Sequence, residues 1–385
     1  MIYADNAATT RLSDKAYETM LPFLREQYGN ASSQYSLGVK AKRAIEHSRQ
    51  QVAAAIGAKR DEITFTSGGS EANSWVLRGV NDSFGDEAIH IITSSIEHHS
   101  VLNACRAIET RGVEVTYLSV NNYGVVDIES VKEAIRSNTK LVSIMFANNE
   151  VGTIQPIDKI GRLLHSKNIL FHTDAVQAIG HIPINVNEMH IDFISASAHK
   201  FNGLKGTGFL YKRSGLSLPQ LVFGGEQEQR QRAGTENVAG IVALGYALEE
   251  SVSNMVCERE RLASLIRATA DGLRTAIPEL LINADNTERL PGTLNVTFPL
   301  ASGEAMMHLL DLKEICVSTG SACHSGKDEP SHVLLALGLT EQQAKSSIRI
   351  SYGRYNTLDE VDKIVTAIAD AYAKIVRITK DTLDD

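Results

Sequence analysis

Reactive and hydroxyl-bearing residues recur in this chain directly after short apolar runs. Ile191-Asp192-Phe193-Ile194 leads straight into Ser195-Ala196-Ser197-Ala198-His199-Lys200. Such a run reads as a buried strand, which puts Lys200 near its C-terminal end, where open α/β sheets bind ligands. A lysine delivered there can form a Schiff base with a carbonyl cofactor. Taken alone, Lys200 is more simply a surface lysine. A second run, Ile169-Leu170-Phe171-His172-Thr173-Asp174, changes the balance because it stops at an acid. A pyridoxal phosphate site needs a lysine for the Schiff base and an acid to keep the pyridine nitrogen protonated. Here the two fall at consecutive strand ends.

The phosphate of such a cofactor needs backbone N–H groups. Thr66-Ser67-Gly68-Gly69-Ser70-Glu71 follows a candidate strand and opens a helix, so Gly69 and Ser70 lie where an anion can meet a helix N-terminus. The plain alternative is a glycine turn with a serine N-cap. Glu97-His98-His99 follows another strand, and an imidazole there can stack on an aromatic ring; a solvent-facing loop histidine is the default for either one singly. Asn148-Asn149-Glu150-Val151-Gly152 offers amides to a carboxylate or a phenolic oxygen, although asparagine and glycine favour turns in any case. Ser318-Thr319-Gly320-Ser321-Ala322-Cys323-His324 reads as a small-residue loop with a cysteine that can react, His324 being placed to favour its thiolate.

These segments need a scaffold, and the pattern supplies one. Candidate strands at 62–66, 88–93, 113–118, 141–146, 169–173, 191–196 and 208–211 alternate with helical stretches. That alternation predicts an α/β fold, a large domain with a mostly parallel seven-stranded sheet wrapped by helices. A long helical pattern from about Thr235 to Ile277 leads into a smaller α+β domain with strands at 293–297 and 348–351. The expected division is 14–255 for the large domain, with 1–13 and 256–385 forming the small one. A length of 385 residues favours two domains over one core. The net charge of −8 and scattered basic residues give no footprint for nucleic acid or an anionic membrane surface. No apolar run reaches the ~20 residues of a membrane span. Of four cysteines none forms a C-x-x-C pair, so no metal site made by this chain alone is expected, and their scarcity points to a reducing, cytoplasmic setting.

With those residues in view, the chain resembles the cysteine desulfurases of the NifS/IscS type, among the fold-type I pyridoxal phosphate enzymes of the class V aminotransferase superfamily. The likeness covers nearly the whole chain. It rests on Asp5-Asn6-Ala7-Ala8-Thr9-Thr10, the Thr66–Glu71 turn, Glu97-His98-His99, Asn148–Gly152, Asp174-Ala175-Val176-Gln177, Ala198-His199-Lys200, Arg232-Ala233-Gly234-Thr235, Ser318–Cys323 and Arg349-Ile350-Ser351. The resemblance implies that Lys200 carries the cofactor and later a proton, that Asp174 pairs with the pyridine nitrogen and Gln177 with the phenolic oxygen, and that His98 stacks on the ring and is catalytic through proton transfer. It implies phosphate binding by Gly69, Ser70, Ser197 and His199, with Thr235 supplied by the partner of a homodimer. Asn149 and Arg349 would bind the carboxylate of L-cysteine, and Cys323 would take its sulfur as a persulfide. A sulfur-acceptor protein, an iron–sulfur scaffold or a thiolation enzyme, would follow. The rivals are a selenocysteine lyase or a class V aminotransferase on the same fold, and a non-enzymatic sulfur-transfer scaffold. An aminotransferase has no use for Cys323, and retention of both Lys200 and Cys323 argues against a silent scaffold.

Overall fold

The computed structural model describes residues 1–85, 87–320 and 329–381; Cys323 and His324 lie outside them. After β1 (Ile2–Tyr3) come α1 (Asp14–Arg25) and α2 (Ser36–Ile56), the first capped by Ser13, whose side chain accepts the Ala16 N–H. The chain then alternates through β2 (Ile63–Thr66), α3 (Gly69–Ser83), β3 (His90–Ser94), α4 (His99–Glu109), β4 (Glu114–Leu118), α5 (Ile128–Ala134), β5 (Thr139–Ser143), α6 (Ile157–Ser166), β6 (Leu170–Asp174), β7 (Phe193–Ser197) and β8 (Gly208–Lys212). These seven strands, β2 to β8, form one sheet in the order β2-β8-β7-β6-β5-β3-β4. It is parallel except for β8, which runs antiparallel to both of its neighbours. The α/β sheet read from the sequence is therefore present strand for strand.

The helix α7 (Val238–Ala276) joins two cores. Its first turns bury Ala243, Leu244 and Leu248 with the large sheet, and its later turns bury Leu262, Leu265 and Leu273 elsewhere. That second core is closed by β10 (Thr293–Thr297), paired antiparallel with β12 (Ser347–Ser351) and with β9 (Leu281–Ile282), and by α8 (Gly303–Asp311) and α11 (Leu358–Asp381). A two-residue strand β11 (Ile315–Cys316) pairs with β1, so the chain's start is tied to this second core. Two short helices, α9 (His332–Ala336) and α10 (Glu341–Lys345), precede β12. Among the described residues no helix is long and apolar enough to cross a membrane.

The central strands are stitched by side chains as well as by backbone. His172 on β6 bonds to Ser143 Oγ on β5 at 2.8 Å and to Ser195 Oγ on β7 at 3.0 Å. Burial alone pushes its pKa down to about 3, so the ring is neutral and serves as a polar rivet between three strands.

Candidate active site

Register brings the two strand ends together. Parallel pairing sets Asp174 of β6 opposite Ser195 of β7, and a tight turn at Ala198–Lys200 then carries the lysine over the sheet's edge. Lys200 Nζ donates to the backbone oxygens of Ala7 at 2.6 Å and Ala8 at 2.7 Å. Asp174 is buried, and each of its oxygens has a donor: Asn73 Nδ2 at 2.7 Å and the Val176 N–H at 3.0 Å. Both residues line a cavity of ≈ 210 Å³ together with Gly69, Ser70, His98, Asn149, Gln177, Ser197, His199 and Arg349.

One end of this cavity is built for an anion. Helix α3 starts at Gly69, and its N-cap, Gly68, offers no side chain to the first N–H groups, which leaves them for a ligand. The turn depends on its glycines. Gly68 has φ 155°, which other residues rarely adopt, and a Cβ on Gly69 would lie 2.4 Å from Val176 Cγ2. Ser70 and Ser197 add hydroxyls. His199 sits 3.2 Å from Thr9 Oγ1, and burial, followed by the charges of Lys200 and Lys205, pushes its pKa down to about 4. At neutral pH it is a neutral ring that can donate one hydrogen bond to a phosphate without adding charge. An anion cradle, a lysine and a buried acid in one cavity fit pyridoxal phosphate.

His98 is held by a network that sequence reading missed. Asn73 Nδ2 donates to Asp174 and also, at 2.8 Å, to Ser100 Oγ. The Ser100 hydroxyl lies 2.8 Å from His98 Nδ1, which also accepts the Ser100 N–H at 3.2 Å. With Nδ1 an acceptor, the neutral ring carries its proton on Nε2. Asn73 thus ties the acid to the histidine across three elements. Its only signal in the sequence is its place one turn into the helix after the glycine turn. Beside His98, Glu97 is fully buried; its Oε1 accepts from Ser94 Oγ and the Met145 N–H, and burial pushes its pKa up to about 8.

The Asn148–Gly152 segment divides its labour. Asn148 Oδ1 accepts the N–H groups of Glu150 and Val151, which makes the turn, while Asn149 lines the cavity. Arg349 on β12 is buried: one terminal nitrogen donates to the Asn149 carbonyl at 2.7 Å and the other to Asp5 Oδ1 at 2.7 Å. A guanidinium has five N–H donors, so capacity for a carboxylate remains. Gln177 donates to the Ala7 carbonyl at 3.0 Å through one of its two amide hydrogens. Thr235 is exposed and stands apart from this cavity, in a separate groove with Phe23, Leu24 and Tyr28. Of the described cysteines, Cys105 is buried on α4 and pushed up to about 12 by that burial, Cys257 is exposed on α7, and Cys316 is half-buried and raised, first by burial and then by Asp311 and Asp5.

The aminotransferase class-V family profile matches residues 2–364. A "Cysteine desulfurase IscS" of Methanosarcina thermophila is 46% identical over 374 residues, 97% of this chain and 92% of the relative. A "Putative cysteine desulfurase IscS 1" of Bacillus subtilis (strain 168) is 45% identical over 97% of this chain and 99% of its own. Among solved structures, a "NifS-like protein" superimposes with a TM-score of 0.91 at 38% identity, covering 97% of this chain and 99% of the other. "SspA in complex with cysteine" does so with a TM-score of 0.82 at 38% identity, over 93% and 100%.

Proposed function

We propose, for a chain that belongs to the class-V aminotransferase family and is a pyridoxal phosphate-dependent cysteine desulfurase, that Cys323 is the group that takes the sulfur. The observation that carries the reading is the single cavity holding Lys200, Asp174 and the open N-terminus of α3. Gly69, Ser70, Ser197 and His199 would hold the phosphate of pyridoxal phosphate, Asp174 would pair with its ring nitrogen and Gln177 with its phenolic oxygen, and His98 would stack on its ring. Bound there, the cofactor draws electrons away from the substrate's Cα and makes its proton acidic. Arg349 and Asn149 orient the carboxylate of L-cysteine, and the Lys200 amine removes the Cα proton and returns it. The Cys323 thiolate attacks the substrate sulfur. An S–S bond forms as the Cβ–S bond breaks, the bonding pair stays on carbon, and Cβ takes up one proton to become the methyl group of alanine. The persulfide then passes to an acceptor protein, for iron–sulfur cluster assembly or thiolation, in the cytoplasm.

The same reading makes the chain a homodimer with shared sites. Tyr17, Leu21, Leu24 and Tyr28 leave one side of α1 and its C-terminal extension exposed, between 40% and 71%, and Thr235 lies in the groove beside it. A stripe of that kind invites a second copy, which would bring Thr235 to the neighbour's phosphate. We place the boundary of the large and small domains within α7, near Met255.

The test is direct. Incubation with L-cysteine and a thiol reductant should release sulfide and alanine in equal amounts. Cys323→Ser should stay yellow and bind L-cysteine, yet carry no persulfide and release almost no sulfide. Persulfide on Cys257, Cys316 or Cys105 would overturn the assignment.

A further inference from the structure

The turn assigned to the cofactor phosphate, between β2 and α3, is strapped on both sides by one loop. On the strand side, Glu228 accepts the Phe65 N–H at 2.9 Å and both terminal nitrogens of Arg49, at 2.7 and 2.9 Å. Arg49 also donates to the Ile63 carbonyl at 2.7 Å. Because β2 is an outer strand of the large sheet, this ion pair satisfies backbone groups that no neighbouring strand reaches. The two side chains are only 8% and 5% exposed. They hold a stretch in which Glu228, Gln229 and Arg230 all have positive φ, at 47°, 57° and 63°, a conformation that residues other than glycine keep only where their surroundings enforce it. On the helix side, Arg232 Nε and Nη2 lie 3.0 and 3.4 Å from the two carboxylate oxygens of Glu71, in the first turn of α3. The Ser67 hydroxyl donates to Glu71 Oε2 at 2.5 Å, so this carboxylate closes the turn across Gly68, Gly69 and Ser70. The backbone around Arg232 is fixed in its turn: the Leu221 N–H donates to the Gln231 carbonyl at 2.8 Å and the Ala233 N–H to the Val222 carbonyl at 3.2 Å.

We propose that Arg232 is a positioning residue for cofactor binding, one that neutralises Glu71, the acid whose carboxylate closes the phosphate turn. The proposal rests on the N-terminus of α3 holding the phosphate. A helix N-terminus carries about half a unit of positive charge and favours an anion within its first turn. Glu71 is an anion already in that place. The phosphate brings nearly two negative charges to the same turn at neutral pH. Left unopposed, the carboxylate would share the favourable potential and repel the incoming group. The guanidinium of Arg232 removes that repulsion and still leaves the carboxylate to accept from Ser67. Neither Glu71 nor Arg232 lines the cavity, so Arg232 acts through the acid and not on the cofactor. The pair is 29% and 20% exposed, and solvent screens it less than it would a surface pair. The Arg49–Glu228 clamp, four residues before Arg232, keeps the loop where that pairing can form.

The experiment titrates the full-length apoprotein with pyridoxal phosphate and, separately, with pyridoxal, which lacks the phosphate, following the visible absorbance of the bound cofactor. Four proteins are compared: the parent, Arg232→Gln, Glu71→Gln and the double variant. Arg232→Gln should weaken pyridoxal phosphate binding about fivefold to tenfold and leave pyridoxal binding within about twofold of the parent. Glu71→Gln keeps an acceptor oxygen for Ser67 and removes the charge, so it should bind pyridoxal phosphate at least as tightly as the parent. The double variant should return to within about twofold of the parent, because the charge that Arg232 opposes is gone. An ion pair that serves stability alone would weaken both ligands alike in both single variants, and that result overturns the proposal. So does a double variant as weak as Arg232→Gln, or a change of about twofold or less for pyridoxal phosphate in Arg232→Gln. If Arg232→Gln does not fold, Glu71→Gln still answers: weaker binding of pyridoxal phosphate by that variant overturns the proposal and leaves the phosphate site in place. A parent that binds pyridoxal as tightly as pyridoxal phosphate overturns the phosphate site as well.

Discussion

The pocket at the strand ends and the flanks of residues 321–328 are held in different ways. In the pocket, three side chains carry at least two polar contacts each: Asp174 from Asn73 and Val176, Lys200 to Ala7 and Ala8, Arg349 to Asn149 and Asp5. After Gly320 each flank side chain has one polar contact beyond its own helix: Ser331 to Glu150 and His332 to the Glu97 carbonyl. A net hydrogen bond is worth about 1 kcal/mol, more with a charged partner. Doubled contacts inside a buried sheet fix a group to a fraction of an ångström, which is what a cofactor and a substrate carboxylate require. Single contacts at a boundary can be exchanged, which is compatible with the proposed passage of sulfur through Cys323. The contrast predicts that substitutions in the pocket act through binding and orientation and are poorly tolerated. Substitutions along the segment should act on sulfur transfer alone.

The largest expected effect is at Arg349. Lysine is a point charge and cannot reproduce planar, paired recognition of a carboxylate while also reaching Asp5 and the Asn149 carbonyl. Arg349→Lys should raise the KM for cysteine by at least about tenfold, the equivalent of 1.4 kcal/mol, and keep bound cofactor. Steady-state kinetics with an absorbance spectrum checks it. An unchanged KM would place carboxylate recognition elsewhere. A smaller loss is expected at Asn73, which donates to Asp174 and Ser100. Asn73→Ala leaves an Asp174 oxygen and the Ser100 hydroxyl each short of a donor, a cost of about 1–3 kcal/mol. Cofactor affinity should fall about tenfold, measured by titrating apoprotein, while the persulfide step keeps its rate relative to substrate binding.

Much of the pocket is legible in the sequence because it lies where periodicity changes. Seven apolar runs end at polar residues, and Lys200, Asp174, Ser197 and Asn149 are all read from such ends. Even the one strand read too far, 141–146 against Thr139–Ser143, keeps its pairing in part, since the N–H groups of Ile144 and Phe146 still donate to His172 and Asp174. What is not legible is contact between segments distant along the chain. The Ala7 and Ala8 carbonyls that hold Lys200 come from a stretch without a strand pattern, and the two-residue strands β1 and β11 are too short to show one. Asn73 and Ser100 look like ordinary helix residues until register and helix packing set them between Asp174 and His98. Glu97 and Glu150 look solvent-exposed by type and are wholly buried.

Buried titratable groups on these strand ends set a pH dependence of stability. His172 and His199 have folded pKa values of about 3 and about 4, against an ordinary 6.5. As pH falls below 6.5 the unfolded chain takes up protons that these rings refuse, so stability falls toward acid. Glu97 is raised from 4.5 to about 8, so it holds a proton in the folded state that the unfolded chain releases. Its contribution is complete below pH 4.5 and is lost as pH rises through about 8. Between 4.5 and 6.5 the two histidines outweigh the one acid; above 6.5 the acid acts alone. Stability should peak near pH 6.5 and fall by roughly 1.4 kcal/mol per unit up to pH 8. Glu97→Gln, which is neutral throughout, should remove that alkaline slope. Tm against pH for the two holoenzymes decides it, and parallel curves above pH 6.5 would show that Glu97 does not hold its proton.

The smallest expected effect is at His324, and it tests the other side of the contrast. In the proposed role Cys323 acts as a thiolate, and an ordinary cysteine with a pKa of about 8.5 is only a few per cent ionised at neutral pH. An adjacent imidazolium favours the thiolate, but a unit charge at 4 Å is worth about 1 kcal/mol in water, or less than one pKa unit. Its influence on the thiolate fraction is therefore bounded at about fivefold. The charge is present only below the histidine's own pKa, about 6.5 for an unperturbed ring. His324→Thr should therefore cost no more than about fivefold at pH 6 and almost nothing at pH 8, where the imidazole is neutral in the parent as well. Persulfide formation measured across that range separates an electrostatic role from proton transfer. If His324 delivered the proton that the alanine methyl group takes up, the loss would persist at pH 8 and approach that of Cys323→Ser. The segment would then carry an acid of its own, and the division between a fixed pocket that handles protons and a tethered chain that handles sulfur would fail at that residue.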